Sequence, residues 1–253
     1  MVFVGTSGWQ YPHWRRVFYP EKLPQRLWLP YFAERFQTVE VNNTFYNLPE
    51  RSVFEHWRDH SPPDFMFALK MSRYLTHLKR LNEPAEPVQR FMERAAGLGS
   101  KLGPVLIQLP PRYTANLDML DGTLRLFGSS MRVAVEFRDE SWFVSETAAL
   151  LERRGVALCL ADTPRRKQPA WRTAAWGFVR FHEGAGRDAP GYDRDVLRRW
   201  VERIALMWDA RDDVFVYFNN DTAGYAIRDA VTFAELAAAS GLTPTRVPST
   251  DAA

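Results

Sequence analysis

The stretch V-A-V-E-F-R-D-E-S-W at residues 133–142 decides the fold, because it passes from apolar to charged within a few positions. A near-continuous apolar run is typical of a strand that is buried on both faces of a parallel sheet. Side chains alternate faces along a strand, so Glu136 and Arg138 point the same way. Burying these two groups is costly unless they face each other or a ligand. The stretch therefore predicts a buried strand that ends at a site.

An apolar run that ends in polar residues occurs eight times along the chain. The predicted strands are residues 2–5, 38–41, 65–69, 104–109, 132–137, 156–160, 177–181 and 213–218. Helical segments are predicted between most of them, at residues 23–36, 49–60, 87–98, 117–127, 145–154, 193–208 and 232–239. Strands that alternate with helices form a parallel sheet, and eight such units in 253 residues predict a TIM-type (β/α)8 barrel.

A doubly wound sheet would give the same local pattern and is the alternative architecture. Three features favour the barrel: the count of eight strands, polar residues at nearly every strand end, and the lack of a glycine-rich dinucleotide fingerprint after the first strand. Residues 162–176 show no good helix, so the outer helix after the sixth strand is expected to be weak or missing. We predict one barrel domain over residues 1–241 and a frayed tail over residues 242–253.

The composition sets only mild limits on partners. A formal net charge of +3 and a sequence pI of about 9.1 permit an anionic partner without requiring one. The single cysteine, Cys159, lies in an apolar run and indicates neither a disulfide framework nor a cysteine metal site. No apolar run approaches the roughly 18 residues of a membrane span, and no basic leader precedes the first strand. We therefore expect a cytoplasmic protein without a membrane partner.

Short motifs occur at the predicted strand ends in a fixed order. They are G-T-S-G-W at residues 5–9, V-E-V-N-N-T-F-Y at 39–46, K-x-x-R-x-x-T-H at 70–77, Q-L-P-P at 108–111, E-F-R-D-E-S-W at 136–142, D-T at 162–163, R-F-H at 180–182 and F-N-N at 218–220. Together they resemble the YecE-like family, a bacterial and archaeal domain of unknown function. The resemblance covers almost the full length and implies a barrel related to TIM barrels. It implies no reaction, because the family has no established catalytic residues. One departure is Glu183, which stands where the family usually has glycine.

The residues at the strand ends form the predicted site, because active sites of (β/α)8 barrels lie there. They are Ser7, Glu40, Asn42, Lys70, Gln108, Glu136, Arg138, Asp162, Arg180, His182, Asn219 and Asn220. The period of two puts Glu136 with Arg138, and Arg180 with His182, on one face. If that face is the lumen, the mouth holds three carboxylates, three cations and a histidine, which is costly without a ligand. A closed salt-bridge network is the alternative.

Aromatic and basic residues lie in the loops just past the strand ends. The aromatic set is Trp9, Tyr11, Trp14, Phe45, Tyr46, Trp142 and Tyr192. Core packing would account for about half of it, and the others could form a stacking surface for a base or sugar ring. The basic set is Arg165, Arg166, Lys167 and Arg172, in a loop that could act as a lid. Basic residues among stacking rings suit a phosphate-bearing ligand or a nucleic-acid strand.

Three specific chemistries are open at the sequence level. Glu40, Glu136, Asp162 and His182 could hold a divalent metal, although Lys70 and Arg138 would compete with it, so a metal is not favoured. No nucleotide-cofactor motif is present, and the cofactor is unknown. A glycoside hydrolase would use Glu40 and Glu136 as its carboxylate pair. A Schiff base on Lys70 is a third route, but a lysine that pairs with phosphate or carboxylate is commoner.

The leading hypothesis is a hydrolase or isomerase that binds a phosphate-bearing small molecule or a nucleic-acid segment at the mouth. Glu136 would be the general acid or base, with His182 transferring a proton or orienting the ligand. Lys70, Arg138 and Arg180 would hold anionic oxygens. The remaining substrate-binding candidates are Ser7, Trp9, Asn42, Tyr46, Gln108, Trp142, Asn219 and Asn220. A non-catalytic nucleic-acid-binding module is the competing class.

Overall fold

Eight parallel strands close into a barrel in a computed structural model that describes residues 1–163, 167–184 and 190–249. The strands are β1 (Val2–Ser7), β2 (Thr38–Val41), β3 (Met66–Lys70), β4 (Leu102–Gln108), β5 (Val133–Glu136), β6 (Ala157–Asp162), β7 (Gly177–Phe181) and β8 (Val214–Phe218). Each strand pairs with the next in sequence, and β1 pairs with β8. The predicted TIM-type barrel is confirmed. The doubly wound alternative is wrong, because such a sheet is open.

Helices follow most of the strands and cover the outside of the barrel. They are α1 (Trp28–Arg35), α2 (Asn43–Tyr46), α3 (Arg51–Asp59), α4 (Ala85–Ala95), α5 (Leu117–Leu124), α6 (Ser145–Arg154), α7 (Arg194–Met207) and α8 (Tyr225–Ala239). The one-turn helix α2 was not predicted. The start of α8 was also predicted too late, since its first turns contain the buried acid Asp229, which a surface pattern does not reveal.

No helix follows β6 in residues 163 and 167–176, which agrees with the prediction of a weak or missing outer helix there. A segment without a helix lies there instead, and its side chains form hydrogen bonds with the backbone along the strand. The Thr173 hydroxyl accepts from the Leu158 amide at 2.8 Å and donates to the Val156 carbonyl at 2.7 Å. Gln168 donates to the carbonyl of Cys159 at 3.1 Å. Side-chain hydrogen bonds therefore hold the cover of β6 in place.

An apolar plug fills the lower lumen of the barrel. It consists of Phe3, Ala68, Leu106, Ala134, Ala157, Cys159, Trp176, Phe178, Phe215 and Tyr217. Phe3 stacks on Phe215 with ring centroids 4.7 Å apart, and the Tyr217 hydroxyl lies 2.7 Å from Thr38 Oγ1. The alternation of side chains then places the next inward residues of each strand above this plug. These are the polar residues at the strand ends.

The residues after α8 contact the first strand. The amide of Val2 donates to the Thr243 carbonyl at 2.8 Å, and the Val4 amide donates to Thr245 Oγ1 at 3.0 Å. Thr245 is buried. The tail therefore does not fray at residues 243–245, contrary to prediction, because it joins β1. Within the described ranges, no helix is long and apolar enough to cross a membrane.

Replacing Thr173 by valine should lower the free energy of unfolding by about 1–3 kcal/mol, because it leaves a buried amide and a buried carbonyl of β6 without their partner. Urea denaturation of the wild type and the variant measures the change. Thr114→Val is the matched control, since Thr114 is exposed and should tolerate the same substitution. Equal stability of Thr173→Val and wild type would show that the segment is not held by this hydroxyl.

Candidate active site at the barrel mouth

Arg180 is the centre of the polar layer above the plug. Its guanidinium donates to Glu40 Oε1 at 2.8 Å through Nη2 and to Glu136 Oε2 at 2.5 Å through Nη1. The same Nη1 lies 3.2 Å from Gln108 Oε1. Arg180, Glu40 and Glu136 are fully buried and come from β7, β2 and β5. One guanidinium therefore joins three strands across the lumen.

A second set of contacts extends this cluster towards the opening. Arg138 donates to Glu136 Oε1 and to Gln108 Oε1, at 2.9 Å each. His182 Nε2 lies 3.5 Å from Glu136 Oε1, and its Nδ1 lies 3.3 Å from the Asn219 amide nitrogen. Both carboxylate oxygens of Glu136 thus have partners, and Glu136 sets the orientation of Arg138 and His182.

The charges of the cluster fix its protonation at neutral pH. Burial alone would raise the pKa of Glu136, but the charges of Arg180 and Arg138 and the hydrogen bond from His182 together hold it well below the ordinary range. Burial would likewise lower the pKa of Arg180, and Glu40 and Glu136 raise it instead. The pKa of His182 is lowered by burial. Glu136 is therefore an anion and His182 a neutral imidazole.

A cavity of about 560 Å³ opens directly above the cluster. Its lining residues are Tyr11, Asn42, Phe45, Tyr46, Lys70, Arg73, His77, Gln108, Arg138, Arg180, His182 and Asn219. Within the described residues, the lining has four cationic side chains and no carboxylate, because Glu40 and Glu136 lie beneath Arg180 and Arg138. The cavity wall is therefore suited to an anion.

Lys70 occupies one wall of the cavity, at the end of β3. Its Nζ lies 4.2 Å from the centroid of the Phe45 ring, and none of the described carboxylates forms an ion pair with it. Burial, with Arg180 as the next contributor, lowers the pKa of Lys70 to about 8. The imidazole of His77 packs against the same Phe45 ring at 4.9 Å, and burial lowers its pKa to about 4.

Several buried polar atoms of this layer lack a hydrogen-bond partner within the described residues. They are Ser7 Oγ, Glu40 Oε2, Asn42 Oδ1 and Arg180 Nε. Buried polar groups are almost always hydrogen-bonded, so these atoms mark positions where a ligand atom or water would be held. Ser7 pairs in register with Glu40 on the neighbouring strand, which places its hydroxyl beside the cluster.

Two predicted site residues lie outside the cavity. Asp162 is one residue beyond the inward-facing Ala161, so it points away from the lumen, where it interacts with Tyr192. Asn220 follows Asn219 and also points outward, donating to Asp229 at 2.6 Å. The structure therefore brings neither residue to the cavity, because strand ends were counted without applying the period of two to every strand. The mouth holds two carboxylates rather than three.

The predicted aromatic set separates into core and site. Trp142 is fully buried and stacks on Phe137 at 4.7 Å, so the structure places it in the core and not in the lining of the cavity. Trp9 packs edge-on against Trp57 at 5.3 Å, although it also borders a smaller cleft beside the mouth. Tyr46 remains largely exposed at 68% and lines the cavity.

The basic loop does not line the mouth in the part that the structure describes. Arg172 bonds Asp212 at 2.9 Å, just before β8 begins, and therefore lies at the opposite end of the barrel. Its predicted place on the rim is wrong. Lys167 is exposed, and Arg165 and Arg166 lie outside the described residues.

Arg73 and His77 line the cavity but were not among the predicted site residues. Both belong to the K-x-x-R-x-x-T-H motif at residues 70–77, which was used only as one of the motifs that carry the family resemblance. The segment Tyr74–Leu78 forms a single π-helical turn, a geometry that is frequent at functional sites. Their place in the same short motif as Lys70 was the signal that could have identified them.

No group of three or more His, Cys, Asp or Glu side chains in the described ranges converges in a geometry that could hold a metal ion. The four predicted ligands do not come together, because Asp162 faces outward and Arg180 lies between Glu40 and Glu136. The residues at the mouth therefore fit an anion better than a cation.

The fold and this site define a (β/α)8-barrel protein with a cationic pocket at the C-terminal ends of its strands. The chain belongs to the family described as "Protein of unknown function DUF72", whose model matches residues 3–252. The resemblance seen in the strand-end motifs is thus confirmed at the level of the family.

Relatives of known sequence or structure agree with this assignment. The chain is 24% identical over 273 residues to the UPF0759 protein YunF of Bacillus subtilis (strain 168), covering 93% of this chain and 94% of that protein. The crystal structure of a DUF72 family protein from Thermotoga maritima MSB8 matches with a TM-score of 0.82 and 27% identity, covering 93% of this chain and 98% of that one. A DUF72 family protein from Enterococcus faecalis V583 has a TM-score of 0.78 at 18% identity, covering 94% and 96%, and shares the fold.

Replacing Arg180 by methionine should destabilise the protein by about 3–5 kcal/mol, because it leaves the buried Glu40 without a cation and Glu136 with Arg138 alone. Adding Glu40→Gln and Glu136→Gln should recover much of this loss, since no buried charge then remains unpaired. Urea denaturation measures both changes.

Arg51→Met is the control for this experiment, because it breaks the exposed Arg51–Glu55 pair and should change stability little. A single variant Arg180→Met as stable as the control would contradict the central role of this guanidinium. So would a triple variant that recovered nothing.

Proposed function

We propose that the barrel mouth binds a phosphate-bearing small molecule. The observation that carries the proposal is the lining of the cavity, where the described residues present Lys70, Arg73, Arg138 and Arg180 and no carboxylate. Cationic side chains in a partly enclosed cavity attract and hold an anion, because the surrounding low-dielectric wall strengthens their field. Arg and Lys are the usual partners of phosphate oxygens.

The charge balance indicates a dianion. Glu40 and Glu136 are compensated by Arg180 and Arg138, to which they are directly bonded. Lys70 and Arg73 then remain as two positive charges with no ion-pair partner among the described carboxylates. A phosphate monoester carries about −1.5 to −2 at neutral pH, which would balance this excess.

The size and surroundings of the cavity support a compact ligand. A volume of about 560 Å³ lies within the ordinary range for small-molecule sites, roughly 300–1,000 Å³. A second cleft of about 220 Å³ adjoins it and shares Tyr11, Asn42 and Tyr46 with it. Gly8, Trp9 and Val41 also border this cleft, which could take the less polar part of the same ligand.

The geometry disfavours Glu136 as general acid or base. A buried carboxylate of depressed pKa with both oxygens engaged is a weak base and holds no proton to donate. The glycoside hydrolase alternative is weakened for a related reason: Arg180 lies between the two carboxylates and neutralises both. The nucleic-acid module loses support because Arg172 is at the far end of the barrel.

Arg73→Gln should weaken the binding of inorganic phosphate and of glycerol 3-phosphate roughly tenfold, through loss of a charge-assisted hydrogen bond. Isothermal titration calorimetry measures the affinity. Arg211→Gln makes the same charge change on an exposed residue just before β8 and should bind like the wild type. Absence of binding by the wild type, or equal loss in both variants, would contradict the proposal. Binding of oligonucleotides with a steep salt dependence would instead favour the nucleic-acid module.

Phosphate affinity should fall as the pH rises above about 8, because Lys70 then loses its proton. A bound dianion raises the pKa of Lys70, so its contribution is complete below the pKa of the free protein and is lost as the pH rises through the pKa of the complex. The charged groups around Lys70 are Arg180, Glu40, Glu136 and Arg138. In Lys70→Arg the guanidinium stays charged, and calorimetry between about pH 8 and 10 should show a much flatter profile. Parallel profiles for the two proteins would assign the change to another group.

A further inference from the structure

We infer that Lys70 is a nucleophilic amine that forms an imine with the carbonyl carbon of a phosphorylated aldehyde or ketone. The inference rests on the proposed phosphate site and names the class of substrate for it. It follows from the place of Lys70 in the cavity: the residue is 7% exposed, and its amine lies over the Phe45 ring and has no ion-pair partner among the described carboxylates.

The surroundings of Lys70 are those that activate a lysine. An amine becomes nucleophilic when an apolar wall desolvates it or when another cation lies close by. Both conditions hold here, because Phe45 covers the amine and Arg180 and Arg138 repel its charged form. With a pKa of about 8, about one-tenth of the amine is neutral at pH 7. That fraction exceeds the one at the ordinary pKa of 10.5 by a factor on the order of 300.

The other cations of the lining have binding or structural roles, which leaves the Lys70 amine available to react. Arg138 and Arg73 line the same cavity and can hold phosphate oxygens as permanent charges. Arg180 is bound to both carboxylates and cannot leave them without exposing buried charge. Lys70 is the lining cation that can lose its proton near neutral pH, so it is suited to attack a carbonyl carbon of the bound ligand.

His77 is placed to move the protons of this reaction. The Thr76 hydroxyl lies 3.3 Å from the Ser72 carbonyl and 2.9 Å from His77 Nδ1, so when it donates to the carbonyl it accepts from His77 Nδ1–H. This hydrogen bond leaves Nε2 of the neutral imidazole as a proton acceptor. The imidazole of His77 packs on the Phe45 ring, over which the Lys70 amine also lies. The pKa of His77, about 4, keeps the imidazole neutral before the reaction.

The step balances without an oxidant or a further reactant. The neutral amine attacks the carbonyl carbon, a C–N bond forms, and the π electron pair moves to the oxygen. His77 accepts one proton from the nitrogen and passes it to this oxygen, which gives the neutral carbinolamine. The second proton of the nitrogen then moves through His77 to the hydroxyl, which leaves as water as the C=N bond forms. The products are the imine and one water molecule.

Trapping with glyceraldehyde 3-phosphate and sodium cyanoborohydride tests the inference. The reductant converts an imine to a stable secondary amine, which intact mass and peptide mapping locate among the five lysines of the chain. We expect one dominant adduct, on Lys70, forming at least tenfold faster than with unphosphorylated glyceraldehyde. Glycerol 3-phosphate, which has no carbonyl group, should protect Lys70 by competition.

Two variants make the test specific. Lys70→Arg keeps the charge but has no nucleophilic amine, and should abolish the dominant adduct. Lys79→Arg is the matched control, because Lys79 follows in the next turns and is ion-paired with Glu83 on the surface. It should leave the adduct unchanged. Thermal melting confirms that each variant is folded.

The outcomes separate this inference from the proposed function. Calorimetric binding of glycerol 3-phosphate without an adduct on Lys70 would overturn the inference and retain the phosphate site. Equal labelling of Lys70 by both aldehydes would overturn the phosphorylated substrate class. Neither binding nor an adduct would overturn the proposed function itself.

Discussion

The paired contact of the Arg180 guanidinium with Glu40 and Glu136 is the interaction on which the rest of the mouth depends. The three groups come from strands that are not neighbours in the barrel, so the contact spans the lumen. A guanidinium can do this because its planar fork offers separate donors to two carboxylates, whereas an ammonium is a point charge. Glu136 then orients Arg138 and His182, and His182 contacts Asn219. The positions of Arg138, His182 and Asn219 in the cavity lining therefore follow from the position of the Arg180 guanidinium.

Such a cluster is a poor device for stability alone. Buried ion pairs lose so much hydration that apolar residues of similar volume often stabilise a fold equally well or better. What the cluster provides is a rigid layer between the apolar plug of the lower lumen and the open cavity. It keeps the two carboxylates beneath the lining and leaves Lys70, Arg73 and Arg138 towards the ligand. The layer of compensated charge thus leaves Lys70 and Arg73 in the cavity wall without an ion-pair partner among the described carboxylates.

The fold could be predicted from the sequence because each strand is a short apolar run bounded by polar residues. Most of the site was within reach too, since Glu136, Arg138, Arg180 and His182 share faces by alternation alone. Asp162 was misplaced because β6 is apolar through Ala161, so its sequence does not reveal which face is inward. His77 lies on an irregular turn after β3, where no periodicity applies. Charge balance across the lumen depends on register, which the sequence does not show.

The extended segment beside β6 has a consequence for how the molecule opens. A helix carries its own backbone hydrogen bonds, so it stays ordered when its contacts with a sheet loosen for a moment. The segment over residues 167–176 is tied to β6 largely by Thr173 and Gln168, and local opening there breaks few bonds. Native-state amide exchange in such a region is governed by sub-global fluctuation rather than complete unfolding. We therefore expect the amides of β6 to exchange with solvent deuterium through local opening of this segment.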